Sequence, residues 1–270
     1  MTGVHARTGT LASLRGDIAR IEAGMTAGAP SHAPLGHAEA DAVLRGGLAR
    51  GAVHEVFADG RQSAAATGFI AGLAQRVGAD RSLLWVRQDF AAIESGALSM
   101  CGWSELGLDP RRLVMVHAPD VESALRTTAD ALACEALGAV VMEIWGETRH
   151  LDLVASRRLS LAARASGVAG LLLRVAATPL PSTAETRWIV RAARSPPGAV
   201  WQAWGAPVFD TQLVRNRHGP VGQWIMEWKC DECLFRDASL HSAEAHPQPV
   251  AAASADRPHE ARSIPFRRVG

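Results

Sequence analysis

The chain has 270 residues, 48% of them hydrophobic, with 28 Lys and Arg against 27 Asp and Glu for a formal net charge of +1. That length and apolar content build one substantial core with flanking extensions rather than two domains, and the balanced charge supplies no bulk field for recruiting nucleic acid. Cys101, Cys134, Cys230 and Cys233 lack a disulfide-framework spacing, no apolar run reaches the roughly eighteen residues of a membrane span, and no signal-peptide pattern opens the chain, so a cytoplasmic protein without membrane contact is expected.

Residues 11–23 place Leu11, Leu14, Ile18 and Ile21 at helical spacing, which predicts a short amphipathic helix. A Gly/Pro/Ala/His stretch from Gly24 to Gly36 follows and reads as a linker, so residues 1–36 form an N-terminal extension. The core is expected over 37–236. Its pattern alternates strand and helix: strand 53–57, helix 63–77, strand 82–87, helix 90–106, strand 113–117, helix 121–137, strand 139–144, a helix from Asp152 to Gly167, and strand 170–175. Strands that read as unbroken apolar runs, such as Ala139-Val140-Val141-Met142, belong to a parallel sheet covered on both faces, so the fold class is α/β. Beyond residue 185 the texture changes to tryptophan-bearing strands at 186–193, 200–204, 209–215 and 223–228, expected as an antiparallel extension at one edge. Residues 237–270 have the Ala/Ser/His/Pro/Glu composition of a disordered tail, ending in an apolar and basic island at Ile264–Val269.

The segment from Glu55 to Thr67 leaves a short apolar strand and enters an apolar helix, the setting of a phosphate-binding loop. In G-x-x-x-x-G-K-[ST] the glycines admit backbone N–H groups to the phosphates, the lysine compensates their charge and the hydroxyl holds Mg²⁺. Here those places read Ala58, Ser63, Ala64 and Ala65, and the single lysine of the chain, Lys229, lies far downstream. Arg61 and the N–H groups at the helix start are what remains to hold an anion.

Several stretches resemble RecA recombinases in order: Gly47–Phe57, the turn and strand before the phosphate loop, then Gly107–Leu113 and Ala118-Pro119-Asp120. Arg215-Asn216-Arg217-His218-Gly219-Pro220 is similar to the hairpin that, in relatives of RecA, carries basic residues towards a neighbouring subunit's nucleotide. Together with the N-terminal helix and the lost phosphate loop, these residues resemble the ImuA family of damage-inducible mutagenesis proteins, over roughly residues 8–236. The resemblance implies a RecA-like, mostly parallel sheet flanked by helices. It places Gln88 where the catalytic glutamate belongs, and an amide cannot act as general base. It places Glu143 at the metal-organising carboxylate, long enough to reach Mg²⁺ if phosphates were present. A scaffold without hydrolysis, and with no cofactor or metal, is therefore expected.

What the family implies is an accessory role in error-prone translesion synthesis after DNA damage, beside an ImuB-like Y-family polymerase relative, with an error-prone DnaE-type polymerase reached indirectly and RecA or DNA as further contacts. The candidate contacts are Leu14, Ile18 and Ile21 on the N-terminal helix, which packs on its own domain or on another copy. To these are added Arg187 and Trp188, with Arg191 and Arg194 beside them, and Arg215 and Arg217 of the hairpin. A SulA-like cell-division inhibitor, binding the division GTPase FtsZ, is the alternative; its shorter chains and the hairpin motif favour ImuA. The lone Cys230-Asp231-Glu232-Cys233 has no second pair and no histidine partner, so it reads as structural.

Overall fold

The structure, a computed structural model, describes residues 31–195 and 205–238. The predicted N-terminal helix, the strand at 200–204 and the tail from 239 lie outside the described residues. The described residues form a nine-stranded sheet in the order β11-β10-β9-β8-β3-β7-β6-β4-β5 and a two-stranded ribbon, β1 (His32–Ala33) with β2 (Leu48–Ala49). The strands are β3 (Val53–Ala58), β4 (Ser82–Gln88), β5 (Leu113–Ala118), β6 (Leu137–Trp145), β7 (Ala169–Val175), β8 (Thr186–Ala192), β9 (Val208–Asn216), β10 (Gly222–Lys229) and β11 (Leu234–Asp237). The helices are α1 (Ala38–Val43), α2 (Ser63–Gly78), α3 (Asp89–Ser95), α4 (Met100–Glu105), α5 (Val121–Leu132) and α6 (Leu153–Ser166).

Strands β8, β3, β7, β6, β4 and β5 are mutually parallel, and β9, β10 and β11 continue the sheet antiparallel. This is the expected α/β class with one correction. The tryptophan-bearing extension is not antiparallel throughout, because β8 returns over β3 and pairs with it in parallel, His54 opposite Thr186. The reversal comes one strand later, at β9.

Each central strand divides its side chains between two cores. Val141, Leu171 and Leu173 face α2, whose Phe69, Ile70, Leu73 and Val77 recur at helical spacing, while Val140, Met142 and Leu172 face Leu132 of α5 and Leu159 and Ala163 of α6. The unbroken apolar runs in β6 and β7 thus serve both faces at once. The α2 core extends under the antiparallel strands through Phe209, Trp228 and Phe235, and it closes on Gly72, where a Cβ would stand 2.7 Å from Phe235 Cζ. Only hydrogen fits between α2 and β11 there.

Local chemistry sets most boundaries. Asp120 and Asp152 cap α5 and α6 by accepting from Ser123 N and Ala155 N, and Gly167 ends α6 in the left-handed region at φ 77°. The helix expected over 90–106 is two helices, broken where Gly96 takes φ 76° and Ser99 caps α4. The helix expected to reach 137 stops at Leu132, and β6 already starts at Leu137. Composition read residues 32–36 as linker, yet β1 pairs with β2 and Leu35 is fully buried, its carbonyl accepting from Phe235 N. Short segments of this kind carry too few residues for a periodic signal.

Candidate functional site

In a parallel α/β sheet the ligand site lies beyond the carboxyl ends of the strands. At that end here, β3 leads through Asp59 into a 3-10 turn, Gly60–Gln62, and then α2. The Asp59 carboxylate accepts from Arg61 N at 2.9 Å and Gln62 N at 3.1 Å, and the Gln62 side-chain oxygen accepts from Ala192 N at 2.8 Å. Two of the loop's N–H groups, those of Arg61 and Gln62, are thus taken by a fixed negative charge. The start of α2 itself, beyond Gln62, carries no side-chain cap. Of the four degenerate positions, Ala58 is buried, Ser63 and Ala65 are half-buried at the start of α2, and Ala64 is exposed.

Glu143 lies in β6 two residues before the strand's end, not at the end as expected, and it is turned into the core. Its Oε2 accepts from Trp85 Nε1 at 2.9 Å and stands 2.9 Å from Arg87 Nε. That Nε–H is not aligned for a hydrogen bond, so the contact is an ion pair; the guanidinium spends its other nitrogens on Gly96 O and Ser95 Oγ. The expectation that Glu143 could reach a magnesium ion is corrected, since its carboxylate is already neutralised inside the protein. Gln88 closes β4, and its side-chain oxygen accepts from Trp145 N at 3.2 Å.

Beside the loop a groove of about 360 Å³ opens between the ends of β3, β7 and β8, lined by Phe57, Asp59, Glu147, Thr178, Ile189 and Arg191 among others. Phe57, which lines it, carries two guanidinium groups over its ring, Arg187 at 5.4 Å and Arg174 at 5.9 Å from the centroid. Arg187 is tied to Glu55 at 2.7 Å. Arg174 donates to Gly146 O, and burial lowers its pKa, against the opposing charges of Glu147 and Glu55. Thr178 holds the Glu147 carboxyl below its usual range by hydrogen bonding.

The remaining candidates fall elsewhere. Trp188 is fully buried and donates to Thr186 Oγ1, so it presents no face to a base; Arg187 is mostly occupied by Glu55, Leu180 O and Ser182. Arg191 and Arg194 are exposed. Arg215 donates to Ser182 O, Arg217 is exposed, and their turn follows Asn216, which pairs with Thr186 at the amino end of the parallel strands. The phosphate-loop remnant and the basic hairpin therefore occupy opposite ends of the sheet. Leu14, Ile18 and Ile21 lie outside the described residues. Cys230 and Cys233 close the β10–β11 turn, both thiols raised chiefly by burial and so protonated at neutral pH. Among the described residues no group of three or more His, Cys, Asp or Glu side chains is placed to hold a metal ion, and no helix is long and apolar enough to cross a membrane.

Sequence reasoning missed Asp59 and Arg87. Asp-Gly at a strand exit is a capping signal, and a lone arginine in the apolar β4 beside a lone glutamate in β6 signals a buried pair.

No family model matches the chain. Comparison with curated proteins shows it is similar to Protein ImuA of Caulobacter vibrioides, from strains NA1000 / CB15N and ATCC 19089 / CIP 103742 / CB 15. Each is 31% identical over 199 residues, covering 67% of this chain and 77% of the relative. The chain belongs to the ImuA family. The ImuA core seen here is thus a RecA-like sheet whose loop and acidic residue are each engaged by the protein's own side chains.

Proposed function

We propose that the chain is a non-catalytic accessory protein of damage-induced, error-prone translesion DNA synthesis. It acts in the cytoplasm as an adaptor beside an ImuB-like Y-family polymerase relative and, through it, an error-prone DnaE-type polymerase. Membership of the ImuA family supports the process. The observation that carries the non-catalytic part is the Asp59 carboxylate seated on the N–H groups of the phosphate loop, where a triphosphate would meet like charge. With Ala64 and Ala65 at the lysine and threonine positions, Glu143 paired to Arg87 and Gln88 at the glutamate position, metal binding and water activation lack their usual groups in this site.

An adaptor works through surface. For direct DNA contact, exposed Arg191 and Arg194 offer cations near one end of the sheet, and Arg217 at the other. The test is the damage-induced mutation frequency of a strain deleted for the gene. A fall to the uninduced level, restored by the wild-type gene and by an Arg61→Ala variant, is expected. Unchanged induced mutagenesis would overturn the reading.

A further inference from the structure

No described residue covers the solvent face of α6, which forms a ridge. Leu153, Val154 and Leu161 are 53%, 76% and 58% exposed, although α6 buries a full opposite face through Ser156, Leu159 and Ala163. Val154, Leu161 and Ala165 follow one line along the helix at steps of seven and four, with exposed Arg157 and Arg164 on one flank and Arg158 on the other. None of these arginines has an ion-pair partner among the described residues, and α6 itself carries no acid beyond its cap, Asp152.

The chain enters the described fold beside the carboxyl end of this ridge. Ser31 O accepts from Arg50 N at 2.8 Å, and the next residue, Gly51, packs on the end of α6. A Cβ on Gly51 would stand 3.2 Å from Gly167 Cα and 3.3 Å from Ala163 O. Upstream lies the segment whose Leu11, Leu14, Ile18 and Ile21 repeat at steps of three and four, a heptad seam with Arg15, Asp17, Arg20 and Glu22 off it.

We propose that residues 11–23 dock as a helix along the α6 ridge of their own chain, parallel to α6, with Leu14 against Val154 and Ile21 against Leu161. Both spacings are seven residues. Thirteen helical residues span about 20 Å, matching α6 at about 21 Å. The eight steps from Ala23 to Ser31 reach at most about 29 Å extended. A start at the near end uses little of that reach, whereas an antiparallel arrangement would spend about 21 Å of it running the length of the ridge first. The Leu/Ile seam covers the apolar line. This assignment is independent of the mutagenesis reading, because it concerns how the fold covers its own surface.

The test uses full-length chain carrying Ile21→Cys with Leu161→Cys, mixed equally between ¹⁵N-labelled and unlabelled protein, oxidised and mapped by mass spectrometry. The comparison is Ile21→Cys with Ile93→Cys, a 76% exposed site on α3. The expected result is at least a tenfold excess of the 21–161 link over 21–93, joining peptides of one isotopic label only. Mixed-label links would assign the ridge to a second copy, and equal yields at both sites would leave no docking; either overturns the proposal. A second readout is thiol labelling of Val154→Cys, expected to accelerate at least fivefold when Leu14→Asp and Ile18→Asp are added. An unchanged rate in a chain of unchanged circular dichroism overturns it as well.

Discussion

Arg87 Nε lies 2.9 Å from Glu143 Oε2 with the two side chains only 3% and 2% exposed, an ion pair buried between β4 and β6. Removing one partner leaves an uncompensated buried charge, so Arg87→Ala is expected to destabilise by about 3–5 kcal/mol. Glu143→Gln keeps an acceptor for Trp85 Nε1 and should cost less than Arg87→Ala. Urea midpoints of the two variants check the order, and a reversed order would mean that Glu143 is engaged elsewhere.

The Asp59 cap bears on nucleotide binding. Millimolar Mg-ATP is expected to leave the thermal midpoint of wild type within about 1 °C, since a ligand stabilises only as it binds the folded state. Asp59→Gly frees the Arg61 N–H group, leaves the Gln62 N–H on the carbonyl of residue 59 and removes the charge. Any phosphate- or ATP-dependent rise in midpoint should therefore appear in that variant first, at the cost of about 1 kcal/mol for the lost cap. A clear ATP shift in wild type contradicts the reading.

His54 is fully buried in a chain of hydrogen bonds. Trp188 Nε1 donates to Thr186 Oγ1, Thr186 donates to His54 Nδ1, and His54 Nε2 donates to Ala49 O. Ala49 O can only accept, which selects the neutral Nε2–H tautomer. Desolvation, first, pushes the pKa from 6.5 to about 4. The unfolded state therefore takes up a proton below pH 6.5 that the folded state refuses until about pH 4. Stability from this group is whole above pH 6.5 and falls by about 3 kcal/mol as pH drops through that window. Urea unfolding at pH 7.5 and pH 4.5 should show the loss in wild type and a shallower slope in His54→Gln.

Trp188 and Gly72 probe the core under the antiparallel strands. Trp188→Ala is expected to cost about 3–5 kcal/mol of stability, so any loss of DNA binding it causes should track unfolding. Gly72→Ala drives a methyl into Phe235 and Trp228 and is expected to cost about 1–3 kcal/mol. Arg191→Ala and Arg194→Ala should leave the melting midpoint unchanged, which separates the two kinds of residue in one calorimetric series.

Much of the central fold was legible. Asp152 and Gly167 announce α6 because a cap and a left-handed stop are encoded by single residues, and β6 and β7 announce a doubly covered sheet by having no polar face. The parallel pairing of β8 was not legible. Its alternation of Trp188 and Val190 with Arg187 and Ile189 fits either direction, and the choice depends on a crossover whose path no local pattern records. The candidate site divides the same way. The absence of lysine and threonine at 64 and 65 is a property of the chain in one dimension, whereas the engagement of Asp59, Glu143 and Trp188 is not.

The amino-acid sequence by itself determined the layered α/β class, the alanines at 64 and 65 of the loop and the likeness to the ImuA family, because periodicity, capping and motif residues act over a few neighbouring positions. The tertiary structure alone decided where the charges end. Glu143 meets Arg87 across adjacent strands 56 positions apart, and Arg215 is carried to the sheet end opposite Asp59. Pairings of that separation depend on strand order and register, and burial then settles whether a side chain faces a ligand, a partner or its own core.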